Sequence, residues 1–177
     1  MIDETFVYHR VPDQLFGTIL RPLNEWKELD PQLYTAKAAK YDNRKWVMEQ
    51  QIDPLGCVWN DVLFLQPIDP RKIEAALVSL GHRLTGRNFY KIPLTLLEQE
   101  QTVLWLWEHD GAANRLPNCF SQCTAENIAR HKEIPQVTLE YYSQEYAEAR
   151  NPLLYYRVPH IHYRGVLETT NLETVTV

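Results

Sequence analysis

The sequence has little cysteine and no long apolar run. It contains three cysteines, Cys57, Cys119 and Cys123, and three thiols cannot form a complete disulfide framework. The longest apolar run covers a few residues around 62–65, far fewer than the roughly 20 that a membrane span needs. The N-terminus shows no basic segment followed by an apolar export core. These absences predict a protein of a reducing compartment, the cytoplasm, that does not cross a membrane.

The chain also lacks a strong net charge and the common motifs for phosphate binding and nucleophilic catalysis. The 18 basic and 23 acidic residues give 18 − 23 = −5, which disfavours general capture of nucleic acids by the whole surface. No glycine-rich phosphate loop, serine nucleophile elbow or Walker motif is present. The composition therefore names no activity, and function has to be sought in particular residues.

The composition is that of one folded domain spanning residues 1–177. Hydrophobic residues make up 45% of the chain and charged residues 23%, which are ordinary values for a globular protein. Eleven prolines, six glycines, ten tyrosines and five tryptophans indicate short elements with rigid connections around an aromatic core.

Hydrophobic periodicity and turn residues predict an α+β fold, with a mixed or antiparallel sheet shared by both chain ends. Asp30-Pro31 and Asp69-Pro70 are strong helix starts, because the aspartate caps the first amides and proline needs no donor there. Helices are predicted at 13–20, 31–48, 70–81, 124–127 and 137–150. Strands are predicted at 5–11, 57–65, 88–92, 102–107, 153–158, 161–167 and 172–177, with a loop at 109–123.

Two faces are predicted for the helix at 31–48. An apolar stripe combines Tyr34, Ala38, Tyr41 and Met48, while Lys37, Lys40 and Arg44 share another face. The three cations are either an ordinary solvated surface or a site for an anion.

Two short segments carry a family resemblance. Val7-Tyr8-His9 is followed about ten residues later by Ile19-Leu20, and Leu33-Tyr34-Thr35-Ala36 is followed by Lys40-Tyr41. These segments resemble the ADP-ribosyltransferase superfamily, in its poly-ADP-ribose-polymerase-like and nucleic-acid-modifying toxin branches. That family opens with an apolar-aromatic-histidine strand, has an Ile-Leu pair in the helix that follows, and has a tyrosine at the start of a small-residue, lysine-containing stretch. The two segments cover less than a third of the chain.

The resemblance implies that the chain uses NAD as a substrate, transfers ADP-ribose to an unknown macromolecule, and needs no metal. It places His9 on the ribose and Tyr34 against the nicotinamide ring, where an aromatic platform attracts the cation. Lys40 and Tyr41 belong to the second matching segment. Arg10, Lys37, Lys40 and Arg44 are candidates for holding the pyrophosphate through charge-assisted hydrogen bonds.

The family's transferase glutamate lies in a late strand, where it stabilises the ribose as positive charge develops. The corresponding stretch here, residues 152–159, contains no carboxylate. Glu148, just before it, is the candidate catalytic residue. Glu145, Glu168 and Glu173 are the other nearby acids, and each of the four is also compatible with an ordinary surface position.

Trp59-Asn60-Asp61 interrupts an otherwise apolar strand with two polar side chains. Such side chains are costly to bury unless they are hydrogen-bonded, bulged out of the strand or functional.

Two further hypotheses come from other residues. A non-enzymatic interaction protein would use exposed tyrosines among Tyr141, Tyr142 and Tyr146, which helical spacing prevents from all facing one core. A metal-dependent enzyme would use the His160-Ile161-His162 pair, since residues two apart on a strand share a face. A zinc site is also possible in principle from His109, Cys119, Cys123 and His131, although the Cys-x3-Cys spacing is not the usual one.

Overall fold

A computed structural model of the chain describes residues 4–82, 86–107 and 119–177. Its helices and antiparallel strands confirm the α+β class. The strands are β1 Phe6–Arg10, β2 Ile19–Leu20, β3 Gln51–Ile52, β4 Cys57–Val58, β5 Leu63–Leu65, β6 Asn88–Pro93, β7 Thr102–Trp105, β8 Phe120–Gln122, β9 His160–Tyr163, β10 Leu167–Glu168 and β11 Glu173–Thr176. The helices are α1 Trp26–Leu29, α2 Pro31–Ala38, α3 Pro70–Ser79, α4 Ala125–Ala129 and α5 Gln136–Ala147.

Two antiparallel sheets form the framework. One has the strand order β1-β6-β11 and the other β5-β9-β7-β8. Strands β1 and β11 flank β6, so the prediction that both chain ends share a sheet is confirmed. Two smaller pairs, β2 with β10 and β3 with β4, complete the described strands.

A single backbone bridge joins β1 to the end of β5. The amides of Tyr8 and Gln66 each donate to the carbonyl of the other, both at 2.9 Å. Side chains from both sheets then pack into one buried cluster, in which Val7 and Ile92 come from the first sheet and Leu104 and Ile161 from the second. The two sheets therefore share a core, which places the end of β1 beside β5.

Side-chain caps begin the helices where the sequence predicts them. Asp30 accepts from the Leu33 amide at 2.9 Å, and Asp69 accepts from the Arg71 amide at 2.9 Å. Helix α2, however, ends at Ala38 instead of continuing to residue 48. Residues 39–47 form 3-10 turns, broken by a kink at Arg44, whose φ of −150° and ψ of 45° are not helical. The predicted long helix is thus correct in its first half.

Four other predicted elements differ from the structure, two of them in part only. Residues 13–20 do not form a helix, since Gly17 has a φ of +69° and Ile19–Leu20 form β2 against β10. Residues 153–158 form turns and not a strand; Thr138 and Tyr142 donate to their carbonyls from α5. The strand at 57–65 is divided by the turn at Trp59–Asp61, and β8 occupies part of the predicted loop at 109–123. Residues 109–118 of that loop lie outside the described residues.

In the described ranges, the helices are all too short or too polar to span a bilayer.

Two helices end with the same reversal of the backbone but with different residues. After α3, Gly81 has a φ of +91° and the amide of His82 donates to Leu77. After α5, Ala149 has a φ of +54° and the amide of Arg150 donates to Glu145. The left-handed conformation costs an alanine energy that a glycine does not pay.

We therefore expect Ala149→Gly to stabilise the protein by roughly 0.5 to 1 kcal/mol, because it removes this strain. Urea unfolding of the variant and the parent measures the difference. Gly81→Ala is the matched control and should destabilise the fold, since its new Cβ would lie 2.8 Å from the Tyr146 hydroxyl. A loss of stability in Ala149→Gly would contradict the explanation.

Candidate functional site

A cavity of about 170 Å³ lies where the end of β1, the 3-10 segment 39–47 and β5 meet. His9 contributes from β1, Lys40 and Tyr41 from the 3-10 segment, and Asn60 from the turn before β5. Apolar side chains, among them Phe64 of β5, complete the wall. The cavity is small compared with the roughly 300–1000 Å³ of typical ligand sites, so it suits one end of a ligand.

The charge of the cavity wall has one sign. Arg21, Lys37 and Lys40 line it, and the described residues contribute no aspartate or glutamate to it. The Lys37 ammonium lies 5.6 Å from the Trp26 ring centroid, and Lys40 lies 5.0 Å from that of Tyr41. Burial and the charges of Lys37 and Arg44 lower the pKa of Lys40. An anion entering the cavity would relieve this repulsion between cations.

His9 is a neutral member of the wall. Its Nδ1 lies 2.5 Å from the Arg10 carbonyl, which only accepts, so Nδ1 carries the proton and Nε2 is left as an acceptor. The pKa of His9 is lowered to about 4, chiefly because burial disfavours the imidazolium. The bond to Arg10 opposes this shift, and the charges of Lys37 and Lys40 reinforce it.

Tyr41 anchors the 3-10 segment against the core. It is buried, and burial raises its pKa, while the neighbouring Trp59 side chain acts in the opposite direction. Lys40 and Arg44 lie over its ring, the latter with its guanidinium carbon 5.6 Å from the centroid. One aromatic side chain thus orients two cations at the cavity.

The polar turn Trp59–Asp61 places Asn60 in the wall. Asp61 accepts from the Val58 amide at 2.9 Å and from Asn24 Nδ2 at 2.6 Å, which fixes the turn. Asn60 is 1% exposed, and its Nδ2 has no hydrogen-bond partner among the described residues. A buried amide donor without a partner is costly, and at a cavity it is available to a ligand.

The structure brings together three of the six predicted NAD-binding residues: His9, Lys40 and Tyr41. Tyr34 lies on α2 with the Lys27 ammonium 5.3 Å from its ring centroid, and it does not line this cavity. Arg10 is exposed and paired with Asp13 at 2.9 Å. Arg44 reaches the Tyr41 ring without lining the cavity.

Glu148, the candidate catalytic residue, caps the C-terminal end of α5. It is exposed, pairs with Arg150 and accepts from Gln144 at 3.2 Å. It does not line the cavity, so a catalytic role for it stays a prediction.

Two further lining residues, Asn60 and Arg21, were not among the predicted binding residues. The Trp59-Asn60-Asp61 interruption was a signal for Asn60, although it did not reveal which elements the amide would meet. Arg21 had none, because it enters the cavity only through the pairing of β2 with β10.

A second notable feature is a buried cluster of aromatic rings around His162. The His162 ring lies 5.0 Å from Trp59, 5.1 Å from Phe64 and 5.6 Å from Trp105, measured between centroids. The residue is 0% exposed, and neither ring nitrogen has a hydrogen-bond partner in the part of the chain that is described. Burial, with a smaller contribution from His160, lowers the pKa of His162 well below its usual value.

Among the described residues, the structure adds no further ligand to either of the proposed metal sites. His160 and His162 do share a face, since both rings contact Trp105. Across the three described ranges, however, no group of three or more His, Cys, Asp or Glu side chains is arranged to hold a metal ion. His109 of the possible zinc site lies outside the described residues.

The three tyrosines of α5 have different environments, as helical spacing predicts. Tyr142 is fully buried and Tyr141 is half-buried, whereas Tyr146 is 50% exposed. The prediction that at least one of them is exposed is confirmed.

Comparison with known proteins gives one partial similarity. No protein-family model matches the sequence, and no solved structure matches it. A curated protein from Dictyostelium discoideum, probable polyketide synthase 31, is 31% identical over 101 residues. This stretch is 57% of the present chain but 4% of that protein. Because the chain spans so little of this relative, the similarity shows neither a family nor an activity.

The burial of His162 predicts an acid-sensitive fold. Below pH about 6.5 the unfolded chain binds a proton at this residue that the folded chain does not, so stability falls as pH decreases. His162→Phe should reduce the slope of this decline by up to about 1.4 kcal/mol per pH unit. Urea unfolding between pH 7.5 and 4.5 measures the slope.

The larger phenylalanine ring also changes the packing, and this effect shifts the free energy of unfolding by the same amount at every pH. Packing therefore changes the offset of the curve, whereas the loss of the titrating group changes its slope. His9 and His160, whose pKa values are each lowered to about 4 chiefly by burial, should leave a residual decline. Equal slopes in the variant and the parent would show that His162 does not remain neutral on folding.

Proposed function

We propose that this protein binds NAD at the cavity formed by His9, Lys40, Tyr41 and Asn60, as an ADP-ribosyltransferase-like protein of the cytoplasm. The observation that carries the proposal is the convergence of three predicted binding residues on one cavity with a cationic wall. Charge-assisted hydrogen bonds from lysine and arginine are the usual means of holding a pyrophosphate.

The volume of the cavity determines how much of NAD it holds. At about 170 Å³ it accommodates one part of the dinucleotide. The remainder lies outside, where the guanidinium of Arg44 and the ammonium of Lys40 flank the Tyr41 ring. The proposal therefore requires binding across the rim of the cavity and not enclosure of the whole molecule.

The proposed reaction is transfer of ADP-ribose to an unknown macromolecule. The bond between ribose C1′ and nicotinamide breaks, nicotinamide leaves with the electron pair, and a nucleophile of the target bonds to C1′. A carboxylate near the ribose would stabilise the developing charge. Glu148 is the candidate for this role, and a conformational change or a bound target would have to bring it to the ligand.

A second candidate function is binding of a protein partner through an aromatic surface. Tyr146 favours it, since this ring is half-exposed and lies 5.1 Å from the His82 ring, between centroids. Exposed tyrosines are common among the residues that dominate protein interfaces.

NAD should bind the intact protein in isothermal titration calorimetry, and Lys40→Gln should weaken binding about tenfold, because it removes one charge-assisted contact. Lys45→Gln is the matched control: it removes an exposed lysine from the same 3-10 segment that does not line the cavity. Glu148→Gln should leave NAD affinity unchanged. Absence of binding heat at millimolar NAD would exclude the proposal and leave the partner-binding alternative.

A further inference from the structure

The charge of the cavity determines which end of a dinucleotide fits it. The nicotinamide ring of NAD carries a positive charge, and the cavity wall already holds Arg21, Lys37 and Lys40 without a lining carboxylate from the described residues. Like charges that share a partly buried site repel each other strongly. A phosphate group has the opposite charge and is small enough for the available volume.

Arg21 and Lys40 differ in how available they are to an anion. The Arg21 guanidinium donates to Glu25 at 2.7 Å, which leaves its other N–H groups for a ligand. The Lys40 ammonium lies over the Tyr41 ring without a carboxylate partner among the described residues. Lys40 is therefore a cationic donor that no described carboxylate pairs with, whereas Arg21 is already paired with Glu25 and offers only further N–H donors.

Asn60 is the second, independent observation. Its buried Nδ2 has no partner in the described chain, although the residue lines the cavity and its turn is fixed by Asp61. An anionic oxygen is the acceptor that would satisfy this donor. His9 adds no charge, because burial lowers its pKa to about 4. Its Nδ1–H donates to the Arg10 carbonyl, which leaves Nε2 as an acceptor for a ligand hydroxyl.

We infer that the cavity receives a phosphate group of its ligand, held by Lys40, Arg21 and the amide of Asn60, with nicotinamide outside. The ligand class is then nucleoside diphosphates and their esters, recognised by phosphate and not by nicotinamide. This inference rests on the proposed function for the location of the site, but it reverses the orientation that the family resemblance implies for His9.

Titration of the whole protein with three ligands separates the two proposals. ADP-ribose keeps both phosphates of NAD and lacks nicotinamide, whereas nicotinamide riboside keeps the nicotinamide and lacks phosphate. We expect ADP-ribose to bind within about threefold of NAD and nicotinamide riboside at least tenfold more weakly. Affinity for ADP-ribose should also fall as salt is raised, because the contact is ionic.

Variants locate the binding at the cavity. Asn60→Asp should weaken ADP-ribose binding more than tenfold, because it replaces the amide donor with a carboxylate among the phosphate's ligands. Asn43→Asp introduces the same charge on an exposed residue of the 39–47 segment that does not line the cavity, and should have little effect. If Asn60→Asp fails to fold by circular dichroism, Lys40→Gln supplies the same test at an exposed position.

Each outcome bears on one proposal. Binding of ADP-ribose without NAD would refute the proposed function and support the inference. Binding of NAD and nicotinamide riboside without ADP-ribose would support the proposed function and refute the inference. Failure of ADP-ribose and nicotinamide riboside alike, or equal losses in Asn60→Asp and Asn43→Asp, would overturn the inference.

Discussion

The reciprocal backbone bonds between Tyr8 and Gln66 connect the two sheets, and the position of the cavity depends on them. Both residues are buried, so breaking these bonds would leave unpaired polar groups in the core. Because β1 is fixed against the end of β5, His9 lies next to Phe64 and the turn that carries Asn60. The shared apolar cluster then holds both sheets in this relation.

Trp59 connects the cavity to the buried aromatic cluster. Its side chain influences the pKa of Tyr41 in the cavity wall, and its ring packs against His162. The two unusual features of the molecule, a cationic cavity and a buried neutral histidine, therefore share one side chain. Buried polar groups tolerate little rearrangement, so this shared residue makes the wall stiff where Tyr41 lies.

Local signals in the sequence were sufficient for some elements and not for others. Asp30 and Asp69 mark helix starts with interactions that involve only the next few residues, and both predictions hold. The stretch that contains Gly17 was wrongly predicted as helical, because its pairing partner lies about 150 residues away in the chain. The same limit applies to the cavity. Asn60 was recognisable as a polar interruption, but its meeting with Arg21 arises from tertiary contacts alone.

The 3-10 segment at 39–47 forms a wall of the cavity that has few interactions to hold it in place. Hydrogen bonds in such turns are poorer than those of an α-helix, and the segment is interrupted at Arg44. Among residues 39–47, all of which are described, Tyr41 alone is buried. The packing of this wall against the core therefore depends on the single side chain of Tyr41. A ligand in the cavity would therefore rest against a wall that one buried ring holds in place.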